Sequence, residues 1–216
     1  MFTRNVDLSF GDCILADIVE IEIDGKKLTA KPNQMVIEVA DAAGIYIPRF
    51  CYHKHLSIAA NCRMCLVEVE KSPKTLPACA TPVMPGMKIF TQSAKTIEAQ
   101  RAVMEFLLIN HPLDCPICDQ GGECELQDIA MGYGSDWSHY DETKRAVEDE
   151  NLGSLVETEM TRCILCTRCV RFGSEVAGLR ELGVTQRGGH AEIKTFVQQE
   201  ASRSEVSGIT IDLFPV

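Results

Sequence analysis

The sequence predicts an α+β protein in which a small sheet grips one helix and short cysteine-rich modules follow. Apolar residues alternate at Val19–Ile23 and Leu66–Glu70, and helical spacing appears after Val36 and again after Ser93. Eleven cysteines occur in 216 residues, and ten of them fall into three closely spaced sets. The length permits one or two domains with at least one packed core.

The sheet begins with a predicted β-hairpin. Asp24-Gly25 separates its two strands, and this pair tolerates the positive φ values of a tight turn. Two later runs are rich in β-branched or aromatic residues and complete the sheet. The strands are predicted at Val19–Ile23, Lys26–Ala30, Leu66–Glu70 and Met87–Thr91.

Two helices are predicted beside these strands. The first begins at Val36 with Asn33 as its cap and stops at Gly44, which can adopt the left-handed conformation. The second begins after a Ser93 cap and runs to about Asn110. Its expected apolar face consists of Ile97, Val103, Met104, Leu107 and Leu108.

The chain changes character after the second helix. Residues 113–134 are rich in Gly, Asp and Cys with little periodicity, so we do not expect them to bury a core without another staple. Residues 135–158 are polar and acidic, which is typical of a wrapping segment or a linker. Residues 1–17 carry no pattern, and the sequence assigns this N-terminal extension no element.

Charge and hydropathy restrict the possible functions. Lys and Arg number 21 against 31 Asp and Glu, and the net charge of −10 disfavours long-range attraction to nucleic acid or anionic lipid. No run approaches the roughly 20 apolar residues of a membrane span, and no export signal is visible at the start. We therefore expect a soluble protein in a reducing compartment, with metal ligation as the leading use of its thiols and another protein as its partner.

The first set of candidate ligands is Cys51, Cys62, Cys65 and Cys79. A long loop followed by Cys-x2-Cys, with a fourth cysteine from a separate strand, suits two irons bridged by sulfide. Small residues at 59–61 would let backbone N–H groups approach the sulfur atoms. A four-cysteine zinc site is the alternative that this spacing also permits.

The second set is His111, Cys115, Cys118 and Cys124. A histidine in place of one thiolate makes a cluster site less negative, which tends to raise its reduction potential. The glycine pair at 121–122 is expected to let the backbone curl between the cysteines. The sequence identifies no partner for the second ring nitrogen of the histidine.

The third set is Cys163, Cys166 and Cys169, a Cys-x2-Cys-x2-Cys run. Such a run holds three corners of a four-iron cluster and leaves the fourth to a distant cysteine. No cysteine follows the run, and Cys13 is the only one not yet assigned. Either Cys13 completes the site, or the cluster is a three-iron or labile one, or an outside ligand completes it.

Three arginines lie beside this run: Arg162, Arg168 and Arg171. We expect them to form a solvated basic face, which is the usual position of such residues. A second interpretation is that they offset the negative charge of a cluster and ease its reduction.

These motifs closely resemble the large iron–sulfur subunit of NADH-quinone oxidoreductase, the G chain of bacterial respiratory complex I and the counterpart of the mitochondrial 75 kDa subunit. The likeness is carried by the first four cysteines, by the stretch Asn110–Cys124 and by Met160-Thr161-Arg162-Cys163 onward. It extends from about residue 18 to the end.

The resemblance implies a [2Fe-2S] cluster in a β-grasp ferredoxin-type domain over 18–95 and a [4Fe-4S] cluster on the histidine and three cysteines within 96–134. A further [4Fe-4S] site would lie in 135–216, at the start of a molybdopterin-oxidoreductase-like region that is truncated here. Family members carry the last ligand of that cluster in an Asp-Leu-Cys-Pro-Val segment. This chain reads Asp212-Leu213-Phe214-Pro215-Val216.

The implied function is electron transfer without a complete active site on this chain, since neither a Gly-x-Gly-x-x-Gly motif nor a phosphate loop is present. Electrons from NADH would reach it through FMN on a partner subunit and pass toward quinone. The implied partners are other peripheral-arm subunits on the cytoplasmic side of the bacterial inner membrane, with no direct membrane insertion. The alternatives are the small electron-transfer subunit of a soluble NAD-linked hydrogenase or formate dehydrogenase, and a zinc-stapled interaction protein.

Overall fold

A five-stranded mixed sheet forms the N-terminal part of the chain in the computed structural model, which describes residues 18–149, 158–195 and 208–216. The strands are β1 (Val19–Ile23), β2 (Lys26–Ala30), β3 (Leu66–Val69), β4 (Leu76–Pro77) and β5 (Lys88–Phe90). Their order is β2-β1-β5-β3-β4, with β1 and β5 parallel and the other neighbours antiparallel. Four of the five strands lie where the sequence predicted them, and the two-residue β4 was not predicted.

The predicted hairpin is confirmed. Asp24 and Gly25 adopt φ values of 48° and 81°, and Val19 lies opposite Ala30 in the register. The Asp24 carboxylate also accepts hydrogen bonds from the backbone N–H of Thr91, at 2.8 Å, and from its hydroxyl. The turn residue therefore also fixes the end of β5.

The first helix, α1 (Val36–Ala42), packs its apolar side into the core. Its N-cap is Met35, so the prediction of Asn33 as the cap was wrong. Asn33 instead takes a positive φ of 63° in the preceding turn, and Glu38 accepts the Met35 N–H at 2.9 Å. The main core of this domain includes Ile21, Ile23, Val36, Ile37, Ala40, Ile47, Val67 and Ile89.

The second helix, α2 (Ala94–Leu108), is attached to the sheet by polar side chains. Ser93 caps it as predicted, accepting the Thr96 N–H at 3.2 Å. Its buried residues are Thr96, Gln100 and Met104, whereas Ile97 is 44% exposed. The apolar face predicted for this helix was therefore wrong at Ile97.

The polar contacts of α2 explain this arrangement. The Thr96 hydroxyl accepts the Glu68 N–H, and the Gln100 amide donates to the Leu66 carbonyl, both at 3.0 Å. The two side chains lie one helical turn apart, and both bind the backbone of β3. The hydrogen bonds of Thr96 and Gln100 therefore attach this face of α2 to the sheet, where the sequence predicted contact through Ile97.

Residues 113–134 contain a helix that was not predicted, α3 (Glu125–Tyr133). Cys124 is its N-cap, and the sulfur accepts the Gln127 N–H at 3.4 Å. Leu126 and Ile129 are buried against α2 and its surroundings. The helix was missed because a cysteine stands where Ser, Thr, Asp or Asn would mark a helix start.

Residues 135–149 run along α2 without regular structure, as expected for a wrapping segment. The Lys144 ammonium donates to the carbonyls of Leu108 and Ile109 at 2.9 and 2.8 Å, so it satisfies the C-terminal end of α2. The Arg145 N–H donates to the Asn110 side chain at 2.9 Å. The last part of the predicted wrapping segment lies outside the described residues.

The C-terminal part consists of short elements. They are α4 (Arg168–Glu175), an antiparallel hairpin of β6 (Leu182–Thr185) and β7 (Glu192–Thr195), and α5 (Ile209–Leu213). α4 contacts both β6 and α5. Within the described ranges, no helix has the length and apolar character needed to cross a membrane.

Candidate metal centres

The structure brings the four cysteines of the first set together. Cys51 and Cys62 lie in the long loop between α1 and β3, Cys65 directly precedes β3, and Cys79 lies in a single 3-10 turn after β4. All four are buried, with at most 8% of each residue exposed. The Cys51 N–H donates to the Cys62 sulfur at 3.4 Å. Side-chain interactions that affect the pKa values link Cys51 to Cys62 and Cys79, and Cys65 to Cys79.

These contacts make the four thiols electrostatically dependent on one another. Hydrogen bonds from Cys62 and Cys79 lower the pKa of Cys51. The same contacts, together with burial, raise the pKa of Cys62 and of Cys79. Neighbouring buried thiolates repel one another. All four thiols of the set can therefore lose their protons only if bound cations compensate the negative charge. Iron ions would supply that positive charge.

The second set is built around a tight backbone curl. Cys115 lies at the start of a 3-10 turn, Cys118 ends it, and Cys124 caps α3. A Cβ atom on Gly121 would lie 2.8 Å from the Cys115 carbonyl oxygen and 3.0 Å from that of Cys118, and Gly122 has a φ of 95°. Only glycine fits both positions, which confirms the predicted role of the pair.

His111 lies just after α2 and is partly buried. The backbone of Arg162 interacts with the ring and partly opposes the effect of burial on the pKa of His111. Its Nδ1 atom is buried and has no hydrogen-bond partner among the described residues. Burial lowers the pKa of His111 and favours the neutral imidazole that metal ligation requires.

The three cysteines of the third set line one cavity of about 520 Å³. Burial raises the pKa of Cys166 to about 11 and that of Cys169 to about 12. Phe214 lines the same cavity and has no atom able to ligate iron. Cys118 of the second set also lines it, whereas Cys13 lies outside the described residues.

The chain on both sides of Phe214 is hydrogen-bonded. The Leu213 carbonyl accepts from Arg168 at 3.4 Å, and the Pro215 carbonyl accepts the Leu126 N–H at 3.0 Å. The second of these bonds satisfies a backbone donor in the first turn of α3. The C-terminal residues are therefore attached both to α4 and to the helix that Cys124 caps.

Left-handed backbone lies on both sides of Cys62 in the first set and of Cys166 in the third. Ala60 and Arg63 have φ values of 53° and 62° around Cys62, and Leu165 and Thr167 have values of 56° and 60° around Cys166. Such conformations turn successive N–H groups toward one side and form a concavity for anions. N–H groups reach sulfur in both loops. Sequence reasoning missed this feature because the residues involved are not glycines.

The N–H donors in the first loop include Asn61, whose backbone hydrogen bond lowers the pKa of Cys51. The approach of the small residues before Cys62 to the sulfur atoms of a cluster stays a prediction. The Asn61 side chain donates to the Leu165 carbonyl at 3.0 Å. A single residue therefore contacts a ligand of the first set and the loop of the third.

The expectation of a solvated arginine face was wrong for two of the three arginines. Arg168 and Arg171 are only 5% and 9% exposed. Arg168 donates to the Tyr52 carbonyl at 3.2 Å and pairs with Glu125 at 3.2 Å. Backbone carbonyls compensate the burial of these guanidinium groups, and sequence alone does not show which loop will provide them.

All three cysteine sets meet in a second apolar cluster. It contains Cys51 and Cys62 of the first set, Cys124 of the second and Cys166 of the third, packed around Phe50 and Met104. No three His, Cys, Asp or Glu side chains in the described ranges form a group that could hold a single metal ion. Buried thiols, sulfur-facing N–H groups and an unpaired imidazole nitrogen fit iron–sulfur ligation.

Comparison with protein families defines the class as an iron–sulfur protein with a ferredoxin-type domain. Residues 16–94 match the 2Fe-2S iron-sulfur cluster binding domain. Residues 100–139 match the NADH-ubiquinone oxidoreductase-G iron-sulfur binding region, and residues 153–216 match the ferredoxin-like domain of NADH-quinone oxidoreductase subunit 3. The α+β class and the expected two-iron and four-iron cofactors agree with these matches.

The chain belongs to the family of the G, or 75 kDa, subunit of NADH-quinone oxidoreductase, whose N-terminal iron–sulfur region it matches. It is 57% identical to the NADH-ubiquinone oxidoreductase 75 kDa subunit of Reclinomonas americana over 92% of this chain and 29% of that protein. It is 50% identical to the G subunit of the NADH-quinone oxidoreductase of Rickettsia conorii over 92% of this chain and 30% of that protein. The chain thus spans less than a third of these relatives.

A solved structure is also similar. A chain of an NAD+-reducing [NiFe]-hydrogenase in the H2-reduced state superposes with a TM-score of 0.80 at 28% sequence identity. The likeness covers 88% of this chain and 81% of the hydrogenase chain. Most of the arrangement of this chain is therefore shared with that hydrogenase chain.

Proposed function

We propose that this chain is an iron–sulfur electron-transfer part of an NADH-quinone oxidoreductase, relaying electrons from NADH and FMN on a partner subunit toward quinone. The observation that carries the proposal is the single apolar cluster in which cysteines of all three sets meet. Iron–sulfur clusters at these sites would supply the acceptance and release of single electrons. The chain itself buries the thiolates, directs backbone N–H groups at sulfur and keeps the sites close together.

The ligand assignments follow the three sets. Cys51, Cys62, Cys65 and Cys79 would hold a [2Fe-2S] cluster. His111, Cys115, Cys118 and Cys124 would hold a [4Fe-4S] cluster. In the latter set the neutral His111 lowers the negative charge of the site, which tends to raise its potential.

The third set fits a cluster with three protein ligands. Cys163, Cys166 and Cys169 line the cavity, and so does Phe214, which stands in the sequence where the resemblance expects the fourth cysteine. Apart from Cys118 of the second set, no other cysteine among the described residues lines this cavity. The site would hold a [3Fe-4S] or labile cluster in the unmodified chain.

The proposed partners are other peripheral-arm subunits of complex I, including the flavin and NADH-binding subunit. The net charge of −10 favours protein partners over nucleic acid. The proposed location is the cytoplasmic side of a bacterial inner membrane, bound to a membrane complex without inserting. The identity to the bacterial relative from Rickettsia conorii supports this assignment.

The second candidate is the electron-transfer subunit of a soluble NAD-linked hydrogenase or formate dehydrogenase. The similar hydrogenase chain is covered over 81% of its length, which favours this alternative. The identity of 57% to a complex I relative favours the first candidate. Mass spectrometry of subunits that copurify with the chain would discriminate the two, because the hydrogenase candidate predicts hydrogenase subunits and no membrane-arm subunits.

Metal and acid-labile sulfide analysis after anaerobic reconstitution tests the electron-transfer function. We expect a brown protein with iron and sulfide in nearly equal amounts. Cys65→Ala should remove the [2Fe-2S] signal from the EPR spectrum and leave the signals of the other sites. A colourless protein, or zinc without sulfide, would reject the proposal in favour of a zinc-stapled interaction protein.

A further inference from the structure

One face of α4 holds the loop that carries Cys51. Arg168, Arg171 and Glu175 lie three and then four residues apart, so their side chains share this face. Arg168 binds the Tyr52 carbonyl, and Arg171 binds the Ser57 carbonyl at 2.6 Å. Glu175 accepts the backbone N–H of Ser57 at 2.8 Å and also its hydroxyl. The loop is therefore bound at both ends.

Arg171 also joins the ligand loops of two different sets. Its Nη2 atom donates to the carbonyl of Cys51 and to that of Cys166, the latter at 3.2 Å. Its Nε atom donates to the Thr167 hydroxyl at 3.3 Å. The planar guanidinium offers five N–H donors in a fixed fork, which suits several acceptors at once. A lysine ammonium lacks this geometry.

The charge of Arg171 lacks the close ion pair that the neighbouring arginines make. Arg168 pairs with Glu125, and Arg162 pairs with Asp114 at 3.3 Å. Arg171 donates to neutral oxygen atoms. Hydrogen bonds and, to a lesser extent, the charge of Arg171 lower the pKa of Glu175, one helical turn further on, but among the described residues the two side chains do not form a close ion pair. Because its side chain is buried, solvent and salt screen its charge less than that of a surface arginine.

We propose that Arg171 is a positioning residue shared by the first and third cluster sites, and that its charge favours the reduced state at both. This inference rests on the proposed electron-transfer function. Reduction adds negative charge at a site, and a nearby cation stabilises that charge. Hydrogen bonds to the carbonyls of Cys51 and Cys166 also fix the two ligand loops relative to each other. One side chain thus acts on two electron-accepting sites.

The test is an EPR-monitored redox titration of the reconstituted 216-residue chain carrying Arg171→Gln. We expect the potentials of both the first and the third sites to shift to lower values, with a smaller change at the second site. Arg171→Lys retains the positive charge but lacks the planar guanidinium donors. The two reduction potentials should therefore shift less in the lysine variant than in the glutamine variant. Arg101→Gln on α2 is the matched control, because it removes an exposed arginine and should move none of the potentials.

Several outcomes would overturn the inference. Unchanged potentials, or a shift at only one of the two sites, would show that Arg171 is not shared. Equal shifts in the lysine and glutamine variants would show that its charge does not favour reduction. If the glutamine variant instead loses iron and sulfide, the loss must occur at both the first and the third sites. An unmodified chain without sulfide would reject the proposed function itself, whereas normal clusters with unmoved potentials would reject only the role of Arg171.

Discussion

Replacing Thr96 by valine should weaken the attachment of α2 to the sheet. Thr96 is fully buried, and its hydroxyl is hydrogen-bonded on several sides. It accepts from the Glu68 N–H at 3.0 Å and from the Ser93 hydroxyl at 3.1 Å, and it donates to the Phe90 carbonyl at 3.0 Å. Glu68 and Phe90 lie opposite each other on β3 and β5, so the hydroxyl bridges two strands.

Valine keeps the branched shape of threonine but cannot make these bonds. It would leave the Glu68 N–H and the Phe90 carbonyl without this partner in a part-buried position. A buried polar group that loses its partner costs about 1–3 kcal/mol, so we expect the free energy of unfolding to fall by about 2–4 kcal/mol. That loss is a large share of the stability of an ordinary domain.

Urea unfolding followed by far-UV circular dichroism under anaerobic conditions measures the effect. Thr96→Ser is the matched control, because serine keeps the hydroxyl and loses only a methyl group. We expect the serine variant to be clearly more stable than the valine variant. A valine variant within about 0.5 kcal/mol of the unmodified chain, the range of ordinary surface substitutions, would refute the reasoning.

Two further predictions concern the second and third sites. Gly121→Ala should reduce iron and sulfide at the second site, because its Cβ would lie 2.8 Å from the Cys115 carbonyl oxygen, whereas Gly132→Ala meets open space and should leave the content unchanged. Equal content in both variants would contradict this. Phe214→Cys should replace a three-iron EPR signal, seen after mild oxidation, by a stable four-iron signal, and Phe214→Ala should not. Three full clusters in the unmodified chain that persist in Cys13→Ala would show this prediction to be wrong.

The features that the sequence predicted well depend on neighbouring residues. The hairpin was predicted with its observed bounds, because alternation and an Asp-Gly turn specify it within a short stretch of chain. The ligand spacings and the glycine pair at 121–122 are equally local, and the structure explains the glycines by close backbone approach. Short-range patterns were therefore sufficient to predict four of the five strands and to select the candidate ligands.

The features that were missed depend on distant partners. The carbonyls that bind Arg168 and Arg171 come from Tyr52 and Cys51, 116 and 120 residues earlier in the chain. The burial of Thr96 was not predicted, because the Glu68 N–H and the Phe90 carbonyl that bind its hydroxyl come close to it only in the folded sheet. α3 was missed because the sulfur of Cys124 acts as the cap.

Position 214 is held in place by its neighbours rather than by its own side chain. Because the carbonyls of Leu213 and Pro215 are both hydrogen-bonded, the backbone there keeps its path whichever residue occupies the position. The side chain can then change the chemistry of the adjoining cavity without a change of fold. A single substitution at this point would convert a cluster open at one corner into a closed one, and the reverse substitution would give iron a route for loss or for contact with an external molecule.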